Sequence, residues 1–300
     1  TVVVCKDSPG FLGNRVGVYA MQVAMTEAFK LGLSVEEADA VFGRPLGIPK
    51  TGIFGLYDLI GIDLMSDVLK SFIKELPLSD PFHSVGKESP IIKKLIEDGY
   101  TGRKGKGGFF RINKKSGTKI LESLNYKDYT YKESKKLDLA MPEVMDVKKV
   151  LAREDVYAQY AWSIIKKTIL YASNLIPEVT ENFNDIDDAM KCGFNWSKGP
   201  FEILNEIGIE AFVLKLNKDE KIPSFIKQLI VQKKSLFKAK ENSLEYFHPK
   251  HSYVSMQRPE GIISLSDIKK STSPLYTNSS ASIWEIQGKS RFICVEFHTK

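Results

Sequence analysis

The side chains with the clearest chemical potential are few. Histidine titrates near neutral pH and serves as general base or metal ligand, and the 300-residue chain has four: His83, His248, His251 and His298. His83 lies in a proline-rich loop and His298 ends the last strand-like run. His248 and His251 are a close pair without the further ligands a zinc site needs. Each reads as a surface or packing residue. The cysteines Cys5, Cys192 and Cys294 are odd in number, far apart and without CxxC spacing, so neither a disulfide framework nor a metal site is written here, and a reducing, cytoplasmic setting is the simplest reading. The run from Tyr100 to Phe110 (YTGRKGKGGFF) is a basic, glycine-rich turn of the kind that can approach a phosphate. A phosphate cradle needs a helix N-terminus behind it, whereas Phe109-Phe110-Arg111-Ile112 is strand-like and the Walker spacing is missing. No GxGxxG follows a strand, so no complete dinucleotide-binding half is present in the sequence.

Composition narrows the classes further. With 43% apolar and 27% charged residues the chain has the make-up of an ordinary globular protein, and no apolar run reaches the roughly 20 residues of a spanning helix. No membrane span is therefore expected. The net charge of +6, from 43 basic against 37 acidic residues, suits an anionic ligand such as a coenzyme phosphate. Its lysine runs, Lys114-Lys115, Lys135-Lys136 and Lys233-Lys234, are mixed with acids and lack aromatics at base-stacking spacing, so nucleic acid is not an expected partner.

These residues must be positioned by helices. The chain opens on Thr1-Val2-Val3-Val4-Cys5 without an initiator Met, which reads as a short buried strand entered in mid-protein and closed by Asp7-Ser8-Pro9-Gly10. From Phe11 the apolar residues recur at three- and four-residue steps, predicting a long helix stopped by Gly32. Ser34 and Glu37 form a capping box for a short helix. The segment 43–52 is too rich in Gly and Pro to be helical, and 54–75 reads as two helices broken at Gly61 with Asp63 as cap. A short amphipathic helix is expected over 90–98. Residues 116–146 lose periodicity and read as a connection with a short helix near its end; a second long apolar stripe then runs from Val156 to Ala172.

The second stripe opens a repeat of the first. Asp39 and Asp187 are 148 residues apart, Gly52-Ile53-Phe54 and Gly199-Pro200-Phe201 are 147 apart, and Ile60-Gly61-Ile62 against Ile207-Gly208-Ile209 keeps that offset. Two similar helical modules packed together, approximating a dimer within one chain, are expected.

The runs Asp7-Ser8-Pro9-Gly10-Phe11-Leu12-Gly13-Asn14-Arg15, Phe42-Gly43-Arg44-Pro45-Leu46-Gly47, Gly55-Leu56-Tyr57-Asp58-Leu59-Ile60-Gly61 and 102–110 together resemble the C-terminal part of 3-hydroxyacyl-CoA dehydrogenases. Cys192-Gly193-Phe194-Asn195-Trp196-Ser197-Lys198-Gly199-Pro200-Phe201 is similar to the duplicated C-terminal domain of multifunctional fatty-acid β-oxidation proteins, and 281–286 with 294–298 to the opening strands of an enoyl-CoA hydratase domain. The fold this implies is mainly α: two tandem similar helical modules, of the 3-hydroxyacyl-CoA dehydrogenase and 6-phosphogluconate dehydrogenase C-terminal type, with short strand segments at both ends. The implied organisation is the end of a truncated Rossmann domain over 1–9, helical domains over 10–115 and 151–220, linkers over 116–150 and 221–280, and the start of a truncated hydratase-like domain over 281–300. The implied activity is NAD-dependent oxidation of an L-3-hydroxyacyl-CoA to the 3-ketoacyl-CoA. Its partners would be the acyl-CoA substrate and the missing Rossmann and hydratase domains. The catalytic His and Glu of the family lie ahead of this chain, so the chain alone is expected to be inactive. Asn14 corresponds to a site residue of the family, where its amide would orient the substrate or the catalytic His; the alternative is an amide capping its own helix. Lys104 corresponds to a lysine near the cofactor phosphates, although the order Lys104-Gly105-Lys106 departs from the family's, and a solvated lysine is the alternative. A reading of another class is a non-catalytic helical interaction module with a basic ligand-binding surface.

Overall fold

A computed structural model describes residues 2–114, 118–240, 243–256, 262–287 and 291–298. Two compact units divide the chain, residues 1–203 and 204–300. The first begins with α1 (Gly13–Leu31), α2 (Val35–Val41), a 3-10 turn at Arg44–Leu46, α3 (Phe54–Ile60), α4 (Ile62–Glu75), a second 3-10 turn at Pro81–Ser84 and α5 (Pro90–Glu97). Strands β1 (Phe110–Asn113), β2 (Ile120–Asn125) and β3 (Thr130–Glu133) form an antiparallel meander, and α6 (Val147–Leu151), α7 (Val156–Asn174), α8 (Phe183–Phe194) and the start of α9 (Pro200–Ile207) follow. The second unit holds α10 (Ile209–Leu214), α11 (Ser224–Val231), a meander of β4 (Phe237–Lys240), β5 (Ser243–His248) and β6 (Ser252–Ser255), then α12 (Leu265–Ser271) and a sheet of β7 (Tyr276–Thr277), β8 (Ala281–Gln287) and β9 (Arg291–Phe297).

The local signals decide most helix ends. Ser34 and Glu37 cap α2 reciprocally, the hydroxyl accepting from Glu37 N and the carboxylate from Ser34 N. Asp155 caps α7 by accepting from Ala158 N at 2.9 Å. Gly61, at φ 114°, breaks α3 from α4; it is itself the N-cap, so Asp63 lies within the first turn of α4 and is not the cap.

The core of the first unit is built on α1 and α7, each of 19 residues. Tyr19 stacks on Tyr171 with ring centroids 3.9 Å apart, and the Tyr160 hydroxyl donates to the Ala24 carbonyl at 3.0 Å. The start of α1 thus meets the end of α7 and the reverse, so the two helices run antiparallel. Lys167 pairs with the buried Glu27 at 2.7 Å across the same seam.

Three stretches differ from expectation. Residues 2–7 belong to no strand: among the described residues a single backbone bond, from Lys6 N to Val179 O at 2.8 Å, ties them down. Residues 120–133 form strands where irregular chain was expected. Their sequences, ILESLN and TYKE, carry little alternation, and the sheet is held from elsewhere: Ser123 donates to Glu36, Tyr126 to the Leu33 carbonyl and Tyr131 to the Gly108 carbonyl. Between 221 and 256, a helix and a second meander occupy a stretch that reads as linker in the sequence.

Candidate functional site

Asn14 is the second residue of α1. No side chain caps this helix: its N-cap is Leu12 and no acidic residue stands in the first turn. The amide of Asn14 is therefore not used as a cap. It is exposed and, among the described residues, takes no hydrogen bond, which leaves its donor and acceptor uncommitted.

Its neighbour behaves in the opposite way. Arg15 is 1% exposed and fully engaged. Nε donates to the Tyr171 hydroxyl at 2.9 Å, Nη1 to Ser8 Oγ at 2.6 Å and Nη2 to Asp80 Oδ2 at 2.5 Å, with Glu178 Oε1 3.5 Å away. Burial opposes the charge, but Tyr171, Asp80 and Glu178 more than offset it, so the guanidinium is held even more firmly protonated than usual. Asp80 is itself fixed by accepting from Phe82 N at 2.8 Å. The chain entering α1 is tied to the same region, since Lys6 Nζ donates to the Pro177 carbonyl at 2.7 Å.

Lys104 is exposed in the turn between α5 and β1. Asp58, near the end of α3, holds both ends of that turn: its carbonyl accepts from Arg103 N at 2.8 Å, and its carboxylate accepts from Phe109 N at 2.8 Å and Phe110 N at 2.7 Å. Burial pushes the Asp58 carboxyl up to about 6 against the lowering effect of these amides and of Arg103. The amides therefore shape the loop, and Lys104 supplies a positive charge at its exposed rim. Asn14 and Lys104 stand on separate elements, and no hydrogen bond among the described residues joins them. The groove of about 170 Å³ lined by Gln22, Met25, Tyr57, Met65, Leu69 and Ile92 includes neither.

A dinucleotide does not fit the residues described. The sheets are three antiparallel ones of three strands each, without the parallel strand–helix–strand crossover whose helix N-terminus receives a pyrophosphate. Among the described residues there is also no cluster of three metal-ligating side chains and no helix long and apolar enough to cross a membrane. Three of the four histidines are occupied locally: His83 Nε2 lies 3.2 Å from the Leu76 carbonyl, His248 accepts from Lys250 N, and His298 Nε2 lies 2.8 Å from Ser282 Oγ. The three cysteines are free.

A third feature ties each short helix to the helix that follows it. Asp39 accepts from the first amides of α3, Phe54 N at 2.7 Å and Gly55 N at 3.0 Å. Asp187 does the same for α9, from Phe201 N at 2.9 Å and Glu202 N at 3.0 Å. The Gly/Pro loop after α2 is fixed by this carboxylate. Burial pushes the Asp39 carboxyl up to about 8, although Phe54, Gly55 and Ile53 amides pull it down.

Residues 10–112 match the family model described as 3-hydroxyacyl-CoA dehydrogenase, C-terminal domain. That span starts at the Gly10 turn before Asn14 and ends in β1, and so takes in both Asn14 and Lys104. Residues 10–112 form a 3-hydroxyacyl-CoA dehydrogenase C-terminal region. A putative fatty acid oxidation complex trifunctional enzyme of Rickettsia prowazekii is 39% identical over 204 residues, covering 68% of this chain and 28% of that protein. A probable 3-hydroxyacyl-CoA dehydrogenase of Bacillus subtilis is 29% identical over 307 residues, covering 100% of this chain and 38% of that protein. The chain thus spans between about a quarter and two fifths of the length of these relatives. A crystal structure of Escherichia coli 3-hydroxybutyryl-CoA dehydrogenase, 18% identical, shares the fold with a TM-score of 0.50 over 77% of this chain and 61% of that one. Two residues that organise the dehydrogenase region are not legible as such in the sequence: Asp80, which looks like a loop acid, and Tyr171, which lies among the apolar residues of a helix. The one available signal is that Arg15 sits at a helix face otherwise apolar and must find a counter-charge.

Proposed function

We propose that this chain is the helical part of an NAD-dependent 3-hydroxyacyl-CoA dehydrogenase of fatty-acid oxidation, acting on an L-3-hydroxyacyl-CoA to give the 3-ketoacyl-CoA. The observation that carries the reading is the match of residues 10–112 to the dehydrogenase C-terminal model, with an uncommitted amide, Asn14, at the exposed start of its longest helix. NAD would supply the hydride acceptor. Its site and the base that takes the hydroxyl proton belong to a nucleotide-binding part not found among the residues described, so no step is derived through the cofactor. What this chain contributes is positional. The Asn14 amide can donate and accept at once and orients a polar group of the substrate, or of the base, without changing charge. Lys104 attracts phosphate groups to the turn that Asp58 holds.

The second helical set supports a tandem arrangement. Asp187 repeats the Asp39 geometry, Gly208 at φ 91° repeats the Gly61 break, and α7 equals α1 in length. In this reading α7 gives α1 the packing partner that a second subunit would otherwise provide.

The test is direct. The purified 300-residue chain is expected to show no NAD-dependent oxidation of a 3-hydroxyacyl-CoA, followed as NADH absorbance, and to support turnover once joined to a nucleotide-binding domain of the family. Turnover by the chain alone overturns the division of labour; no turnover by the joined protein overturns the assignment.

A further inference from the structure

The start of α1 is weakly fixed by its own sequence. It has no side-chain cap and no acid in its first turn, and it follows Gly10 and Phe11, both at positive φ (74° and 51°). α2 and α7 each begin on a capping side chain, so the contrast lies within one unit. A helix start without local restraint frays and lets its side chains wander. Asn14 stands at that start, and its amide works only if the helix holds one rotation about its axis.

Side-chain bonds to three other segments supply the restraint, through the residue next to Asn14. The planar Arg15 guanidinium spends its three nitrogens on three different segments: Ser8 in the entering chain, Asp80 in the turn after α4, and Tyr171 in α7. Glu178, just past α7, is the second carboxylate near it. Four residues later on α1, the Tyr19 ring stacks on the same Tyr171. The loop 176–179 also holds Lys6 by its backbone and its ammonium. A rigid donor fork with each prong bonded fixes both the depth and the rotation of the helix turn that carries it.

We infer that Arg15 is a positioning residue for Asn14, and that Tyr171 of the second helical set completes it, so that the site on the first set depends on a residue of the second. This rests on the reading of Asn14 given above.

Tyr171→Phe keeps the stack on Tyr19 and removes only the hydroxyl that Arg15 uses. In the chain joined to its nucleotide-binding domain, this variant is expected to lower kcat about tenfold, the scale on which a slightly misplaced group loses rate, with KM within about twofold. In an Asn14→Ala background the same change is expected to cost nothing more, because its effect passes through Asn14. An equal loss in both backgrounds, or no loss at all, overturns the inference. If Asn14→Ala itself is fully active, the reading of Asn14 fails first, and the two failures are thereby told apart. Amide hydrogen exchange on the 300-residue chain supplies a second measurement without turnover. The amides of residues 16–19, which bond back to the carbonyls at the start of α1, are expected to exchange about tenfold faster in Tyr171→Phe while α3 is unchanged. Unchanged exchange at 16–19, or a uniform acceleration through α1, α3 and α5, overturns the inference as well.

Discussion

The helices that follow α1 and those that follow α7 are built on the same device and differ in what is added to it. In both, an aspartate on the short helix, the half-buried Asp39 or the buried Asp187, accepts the first amides of the helix after the Gly/Pro loop. In both, a glycine at positive φ then breaks the chain into a second helix. Only the first set adds Asp58, which holds the glycine-rich turn; the matching position in the second is Asn205. The following helix has 14 residues in the first set, α4, and six in the second, α10. At the same offset Asn14 falls on Ala161, a buried apolar residue. What the two share is what a Gly/Pro loop needs to hold its shape. What the first has alone is a basic turn tethered by a carboxylate.

The comparison can be broken most forcefully at the seam. Asp80→Ala strands the buried Arg15 charge and is expected to cost about 3–5 kcal/mol in urea unfolding, whereas Lys191→Ala, removing a partly exposed partner of Asp188 and Glu202, is expected to cost under about 1 kcal/mol. The two aspartate devices can be tested by filling the space beside them. A Cβ at Gly52 would fall 2.2 Å from Asp39 Cγ, and one at Gly199 would fall 2.2 Å from Asp187 Oδ1. Gly52→Ala and Gly199→Ala are each expected to destabilise by about 1–3 kcal/mol; a neutral result at one site would show that the two loops are not held alike.

Protonation separates wild type from Asp39→Asn. With its folded pKa raised to about 8 from 3.8, Asp39 keeps its proton in the folded state while the unfolded chain releases it. The folded state then binds more protons, so this contribution to stability is full below pH 4 and is lost as the pH rises to about 8. The difference between wild type and Asp39→Asn should slope in that direction, by at most about 1.4 kcal/mol per pH unit, and a flat difference would show that Asp39 is ionised throughout. Ser34→Ala, which dismantles the capping box of α2, is expected to cost about 1 kcal/mol. Lys104→Gln is expected to leave the melting curve unchanged within about 0.5 kcal/mol, so any loss of cofactor affinity in the joined protein would be electrostatic.

The helices were legible because their signals are local. The period of the apolar residues places α1 and α7, Ser34 with Glu37 places the start of α2, and Gly61 places the break before α4, each within a few residues of chain. The meander over 110–133 was not legible, because Thr130-Tyr131-Lys132-Glu133 has no apolar face and becomes a strand only against β2. Asn14 could be singled out by the motif around it, but the sequence left open whether its amide capped the helix.

The sequence by itself thus determined the family of residues 10–112, the two spaced aspartates and the helical frame, all properties of near neighbours or of a held offset. The tertiary structure alone decided which polar groups are committed. Arg15 and Asn14 are adjacent, yet one is buried among Ser8, Asp80 and Tyr171 and the other is exposed. Commitment of a buried charge depends on partners 65 and 156 residues away, and a counter-charge at that distance leaves no trace in local spacing.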